Sequence, residues 1–165
     1  MIKMPFNHHF PEHFNSFIHQ LNKFRVEYLL IGGYAMGIYG HIRATNDLDI
    51  YLNATAENAE RALKACISYG IPAKDLHKEM FMVPKIIGIG EPPLRIEILK
   101  KLDVIDFKFA FARAMRKKIG DLVINAISVD DLILRKEAAV KDRNADRDKE
   151  DLSFLKKLKK SLPKG

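Results

Sequence analysis

The stretch Tyr28 to Asn53, YLLIGGYAMGIYGHIRATNDLDIYLN, decides how this chain folds. An apolar run ends in Gly32-Gly33, a short segment follows, and a second strand-like run carries Asp47 and Asp49. Side chains alternate faces along a strand, so Asp47, Asp49 and Tyr51 share one side and Leu48, Ile50 and Leu52 the other. That spacing sets the two aspartates roughly 6–7 Å apart at their Cα atoms, within reach of one divalent cation. Oxygen ligands of this kind suit magnesium or manganese better than zinc. Two carboxylates pointing the same way repel each other, so the pattern calls for something positive between them.

A third acid stands further along. In LRIEIL, residues 94–99, Arg95, Glu97 and Leu99 face one way and Leu94, Ile96 and Ile98 the other. If this strand lies beside the first with the same face outward, Glu97 joins Asp47 and Asp49. Three acids on one sheet face are costly to cluster unless a metal neutralises them. Gly32-Gly33, between a strand and a short helix, frees backbone N–H groups suited to phosphate.

Outward from this centre, the periodicity predicts a helix over 11–25, with Phe14, Phe17, Ile18, Leu21 and Phe24 on one stripe and Pro11 near its first turn. Strands are expected at 26–31 and 47–52, a short helix at 34–40 ended by Gly40, and a helix from Thr55 to about Ser68. Residues 79–99 read as β structure broken by a turn at EPP, 106–115 as a helix, and 117–128 as a hairpin around Gly120-Asp121. Ser128 opens a capped helix over 130–142, and a last helix over about 146–160 buries Leu152, Leu155 and Leu158. Strands mixed with helices make this an α/β (α+β) chain with a mixed sheet flanked by helices. The expected division is a core over 1–128 with a C-terminal helical extension, 129–165, packed on it.

The chain has 165 residues, 47% of them apolar, which suits one domain with a real core. No apolar run is long enough to span a membrane, and the first residues lack the apolar core of a signal peptide. A single cysteine, Cys66, excludes an internal disulfide and fits a reducing, cytoplasmic setting. The formal charge of +7 favours anionic partners, but much of the excess lies in KKLKKSLPKG at the C-terminus. A general nucleic-acid-binding surface is therefore not demanded.

The order strand, Gly-Gly, short helix, Arg43-x-Thr45-x-Asp47-x-Asp49 resembles the DNA polymerase beta-type nucleotidyltransferase superfamily. More closely, IGGYAMGIYGHIRATNDLDIYL resembles bacterial minimal and toxin–antitoxin-associated nucleotidyltransferase-like proteins, with their G-G-x-A and R-x-T-x-D-x-D pattern. LRIEIL stands where those proteins carry the third acid, and ISVDDLILRKEAAVKDRNADRDKEDLSFL resembles their C-terminal helix with Lys and a later Asp pair. The likeness spans roughly residues 11–158. It departs from the family at Tyr34, where many active transferases have Ser, and at Glu97, where Asp is usual.

The resemblance implies transfer of a nucleoside monophosphate from an NTP to a hydroxyl acceptor, a protein side chain, an RNA end or a small molecule. Asp47, Asp49 and Glu97 would be the catalytic and magnesium- or manganese-binding residues. Gly32, Gly33 and the Tyr34 N–H would hold phosphate oxygens, with Arg43, Thr45 and Lys136 counted among the nucleotide-binding residues. Arg43 contacts phosphate or else pairs with Asp47 or a surface acid. Thr45 braces the turn, and Lys136 either aims at the cleft or runs along the edge of its helix. Asp148 and Asp151 match the family's C-terminal pair, although helix capping and salt bridges explain them as well. The alternative is a non-catalytic nucleotide-binding protein or one partner of a toxin–antitoxin pair.

Other residues carry plainer expectations. His9 and His13 have ligand-like spacing, but Pro11 between them argues against one regular helix, so the early histidines are read as surface or packing residues. Cys66 is read as core, and the Phe residues at 107, 109 and 111 as core or interface.

Overall fold

The computed structural model describes residues 10–163, so His8 and His9 lie outside the described residues. The chain is a mixed α/β structure: a six-stranded mixed sheet with flanking helices and two C-terminal helices. Helix α1 (Glu12–Lys23) leads into β1 (Tyr28–Ile31), α2 (Gly32–Ile38), β2 (Leu48–Leu52) and α3 (Ala56–Tyr69). Two single-turn 3₁₀ segments precede β3 (Ile87–Ile89) and β4 (Ile96–Leu99). Next come α4 (Phe107–Ala112), the hairpin β5 (Met115–Ile119) and β6 (Leu122–Ala126), and the helices α5 (Val129–Arg143) and α6 (Asp146–Ser161).

The strand order is β3-β4-β2-β1-β6-β5. β2 lies antiparallel to β1 and parallel to β4, with Asp49 opposite Glu97. The apolar face of β2 is sealed, since Leu48, Ile50 and Leu52 are all fully buried. Phe14, Phe17, Ile18 and Leu21 of α1 join Ala59, Ala62, Ala65 and Cys66 of α3 in the same core. Leu132 and Ile133 of α5 and Leu155 of α6 belong to it too.

Local chemistry sets the element ends. Thr55 accepts from the Asn58 N–H at the start of α3, and Ser128 accepts from the Asp131 N–H at the start of α5. Asn144, in the left-handed conformation, closes α5 and lets α6 fold back beside it. Several expectations need correction. The stretch over 79–99 is not continuously β-like: Lys78–Phe81 is a 3₁₀ turn that buries Phe81, and Pro84 beyond it has no N–H for a ladder. Helix α4 ends at Ala112 rather than Met115, because Met115 pairs with Ala126 in the hairpin. The short helix α2 begins at Gly32, so both glycines lie inside its first turn rather than before it. On α6, Leu155 is fully buried while Leu152 and Leu158 are half-covered. Among the described residues no helix is long and apolar enough to cross a membrane.

Candidate functional site

A cleft of about 540 Å³ opens between the Gly-Gly end of β1, the start of β2, and the helices α5 and α6. Gly32, Gly33, Arg43, Thr45, Asp47, Asp49 and Lys136 all line it. The glycines earn their places by what crosses them. A Cβ on Gly32 would strike the Asp49 carboxylate, and one on Gly33 would strike the Thr45 side chain. Gly32 also has φ of +74°, a conformation that side chains other than glycine's rarely adopt. The Gly-Gly turn is thus the floor on which the second strand lays its acid and its threonine. Thr45 does brace the turn.

Asp47 and Asp49 meet different surroundings. Asp47 Oδ1 accepts the Arg95 N–H from the neighbouring strand at 3.3 Å. Asp49 has no hydrogen bond or ion pair among the described residues. Burial, then the nearby charges of Glu97 and Asp47, push its carboxyl up to about 7, against the milder pull of Arg135 and Lys136. A carboxylate so placed is short of positive charge.

Glu97 sits one strand outward, on the same sheet face and in register with Asp49. It does not line the cleft, and its Oε1 lies 3.7 Å from Arg95 Nε. Among the described residues no three His, Cys, Asp or Glu side chains converge on a point that would hold a metal by themselves. The expected cage of three acids is therefore a pair of aspartates in the cleft with a third acid beside it. Such a pair fits magnesium, which keeps waters and takes one or two carboxylates together with substrate phosphates.

The cations are arranged differently from expectation. Arg43 is engaged neither by Asp47 nor by a surface acid. Its Nε and Nη2 bind Asp151 bidentately at 2.9 and 3.0 Å, and Asp151 is fully buried. Lys136 does not run along a helix edge, because its buried ammonium reaches Asp151 at 2.8 Å and Asp148 at 3.2 Å. His41 Nε2 lies 3.1 Å from Asp151, and Arg143 holds Asp148 at 2.9 Å. Burial alone would raise the Asp151 carboxyl, but the bonds and charges of Arg43 and Lys136 outweigh it and hold it below the usual range. The paired acids of the last helix are structural anchors, tying α6 to α5 and to the segment before β2.

Tyr34 is the other departure. Its side chain leaves the cleft and packs edge-on against Phe10 and Phe14 in the core, 5.1 and 5.4 Å between ring centres. Only its backbone remains at the turn.

Sequence reasoning missed Arg135. It stands on the α5 stripe Leu132–Arg135–Ala139–Asp142, which lines the cleft opposite the sheet. Among the described residues it makes no hydrogen bond and no ion pair. The available signal was Ala138-Ala139 in a highly charged helix, where two small residues leave room beside a guanidinium. Arg147 lines the same cleft from the exposed start of α6, also unpaired among the described residues. The remaining candidates are as expected: Cys66 is buried with its thiol pushed up to about 12 by burial, and His13 and His19 lie at the surface rim of α1. Phe107 is buried beside Tyr51 and Phe111, whereas Phe109 is largely exposed.

A scan against protein-family models and a search of curated proteins return no match to this chain. What the cleft can do is argued from its side chains.

Proposed function

We propose that this protein is a metal-dependent nucleotidyltransferase of the polymerase beta type, moving a nucleoside monophosphate from an NTP to a hydroxyl acceptor. The observation that carries the proposal is Asp49: a half-buried carboxylate beside Asp47, lodged against Gly32, with no bonded partner among the described residues. An acid in that state is served by a divalent cation that brings its remaining ligands with it.

Asp47 and Asp49 would hold magnesium or manganese, with the triphosphate oxygens completing the shell. Bound there, the ion would polarise the phosphoryl group and neutralise charge on the attacking and leaving oxygens. The Gly32-Gly33 turn lines the cleft and would present its backbone N–H groups to phosphate. Glu97, on the same sheet face one strand outward and beside the cleft, would take the proton of the acceptor hydroxyl. The acceptor oxygen then forms its bond to the α-phosphorus as the bond to pyrophosphate breaks in line. Thr45 keeps the turn in shape, while Arg43 and Lys136 act through the buried anchors rather than on substrate.

The test is to incubate the protein with each NTP labelled at its α-phosphate, magnesium chloride and a cell extract, then separate the products. Label moving onto a macromolecule or small molecule, and lost in Asp47→Asn/Asp49→Asn, supports transfer. Nucleotide binding with no labelled product would favour the non-catalytic relative, such as the nucleotide-binding half of a toxin–antitoxin pair. The absence of both nucleotide binding and transfer would overturn the site.

A further inference from the structure

Charged groups around the cleft fall into two sets. Arg43, Lys136 and Arg143 are all committed to Asp148 or Asp151. Asp49 and Arg135 are the half-buried charges with no bonded partner among the described residues; Asp103, Asp142 and Arg147, also unpartnered, are exposed. Asp49 and Arg135 carry opposite charges, line one cleft and feel each other's field, yet they form no ion pair.

Opposite charges in a partly buried cleft attract strongly, so their separation is maintained by the scaffold. Asp49 is held on β2 by the strand ladder and the surface of Gly32. Arg135 is carried by a fifteen-residue helix anchored by the neighbouring Lys136, also in the cleft lining, to Asp148 and Asp151. The side chains confronting Arg135 are Asp49, Asp103 and the already paired Asp148 of opposite charge, Arg143 of like charge, and the small Ala138 and Ala139. What fits between a free carboxylate and a free guanidinium is a dipolar ligand: a cation against the acid and an oxyanion against the arginine. A metal-bound phosphate chain has that composition.

We infer that Arg135 is the residue that grips the polyphosphate of the substrate and makes the cleft select triphosphates over monophosphates. The inference rests on the proposed nucleotidyltransferase reading and adds a residue that the motif does not contain. A planar guanidinium binds two phosphate oxygens at once, and a site built for that contact leaves the arginine bare when the chain is too short to reach it. Tyr34 strengthens the need for such a grip. Its ring packs against Phe10 and Phe14 and does not line the cleft, which leaves Thr45 as the side-chain hydroxyl at the turn. Arg147, exposed at the mouth, is left with a peripheral role.

The experiment is calorimetric titration of the full chain with inorganic tripolyphosphate and with orthophosphate, each with magnesium chloride, for wild type, Arg135→Gln, Arg135→Lys and Arg147→Gln. Wild type should prefer tripolyphosphate, and Arg135→Gln should weaken its binding by about 10- to 100-fold, as expected for lost charged hydrogen bonds. Arg135→Lys should recover part of the loss, and Arg147→Gln should lose less. Because Arg135 has no bonded partner to strand, the variants should melt close to wild type. If wild type binds magnesium tripolyphosphate and Arg135→Gln binds it within about twofold, the role of Arg135 is overturned while the cleft reading stands. A larger loss in Arg147→Gln than in Arg135→Gln would also overturn it. If wild type binds neither probe, the underlying reading of the cleft falls as well.

Discussion

Two pairs of aspartates flank one cleft and have opposite electrostatics. Asp148 and Asp151 on α6 are more deeply buried, yet Arg43, Lys136, Arg143 and His41 surround them, and the Asp151 carboxyl is held below its usual range. Asp47 and Asp49 on the sheet are less buried and have almost nothing: one backbone N–H for Asp47 and no bonded partner for Asp49, whose carboxyl is pushed up to about 7. Burial is therefore not what separates them. The chain spends its nearby cations on the structural pair and leaves the other pair short. Proteins tolerate such a shortfall where a ligand supplies the missing charge.

The comparison breaks first at its structural half. Replacing Asp151 with Ala strands Arg43 and leaves Lys136 with Asp148 alone in a buried setting, which should cost about 3–5 kcal/mol in urea unfolding. Gly32→Ala comes next. The added methyl would meet the Asp49 carboxylate at a backbone angle unsuited to it, and the loss should be on the order of 1–3 kcal/mol. Gly33→Ala has no backbone penalty, but its methyl would fall 2.6 Å from the Thr45 Cβ, which rotation does not move, so the segment before β2 must shift and the loss should be of similar order.

The functional half should respond in the other direction. Asp49 has its folded value raised from an ordinary 3.8 to about 7. As pH rises from about 4, the unfolded chain loses this proton before the folded one does, so ionisation favours unfolding until about pH 7 and is constant beyond. Asp49→Asn should therefore melt a few degrees higher than wild type at pH 8, with the gain shrinking through that window and vanishing below about pH 4. A variant that lowers the melting temperature at pH 8 would show that Asp49 is structural, like Asp151. Smallest of all is the exposed Lys159–Asp130 pair, where Lys159→Ala should change stability by less than about 1 kcal/mol.

The strands and the central motif were legible because period-two alternation and the Gly-Gly turn are local signals. Asp49 and Glu97 fall on the strands read for them, Asp47 lies one residue before its strand and the two glycines lie in the first turn of α2. The register of Asp49 with Glu97 follows from two parallel strands side by side. The cation assignments were not legible. Arg43 and Asp151 lie 108 residues apart, and their pairing depends on how α6 docks, which no local pattern encodes. Arg135 was hidden for the same reason. Next to Lys136 in sequence, it points to the cleft while Lys136 turns to the anchors, and only the docked helix pair separates their roles. The 79–99 stretch misled because apolar residues there serve a buried turn rather than a ladder.

The most direct test of the claim that the Asp47–Asp49 cleft awaits a metal and a triphosphate together is thermal unfolding of wild type with NTP alone, magnesium alone and both. Both together should raise the melting temperature by more than the sum of the separate shifts, the extra stability reaching about 2.7 kcal/mol at a hundredfold excess over Kd. Asp47→Asn/Asp49→Asn should lose that excess entirely. Merely additive shifts in wild type, or an undiminished excess in the double variant, would contradict the account.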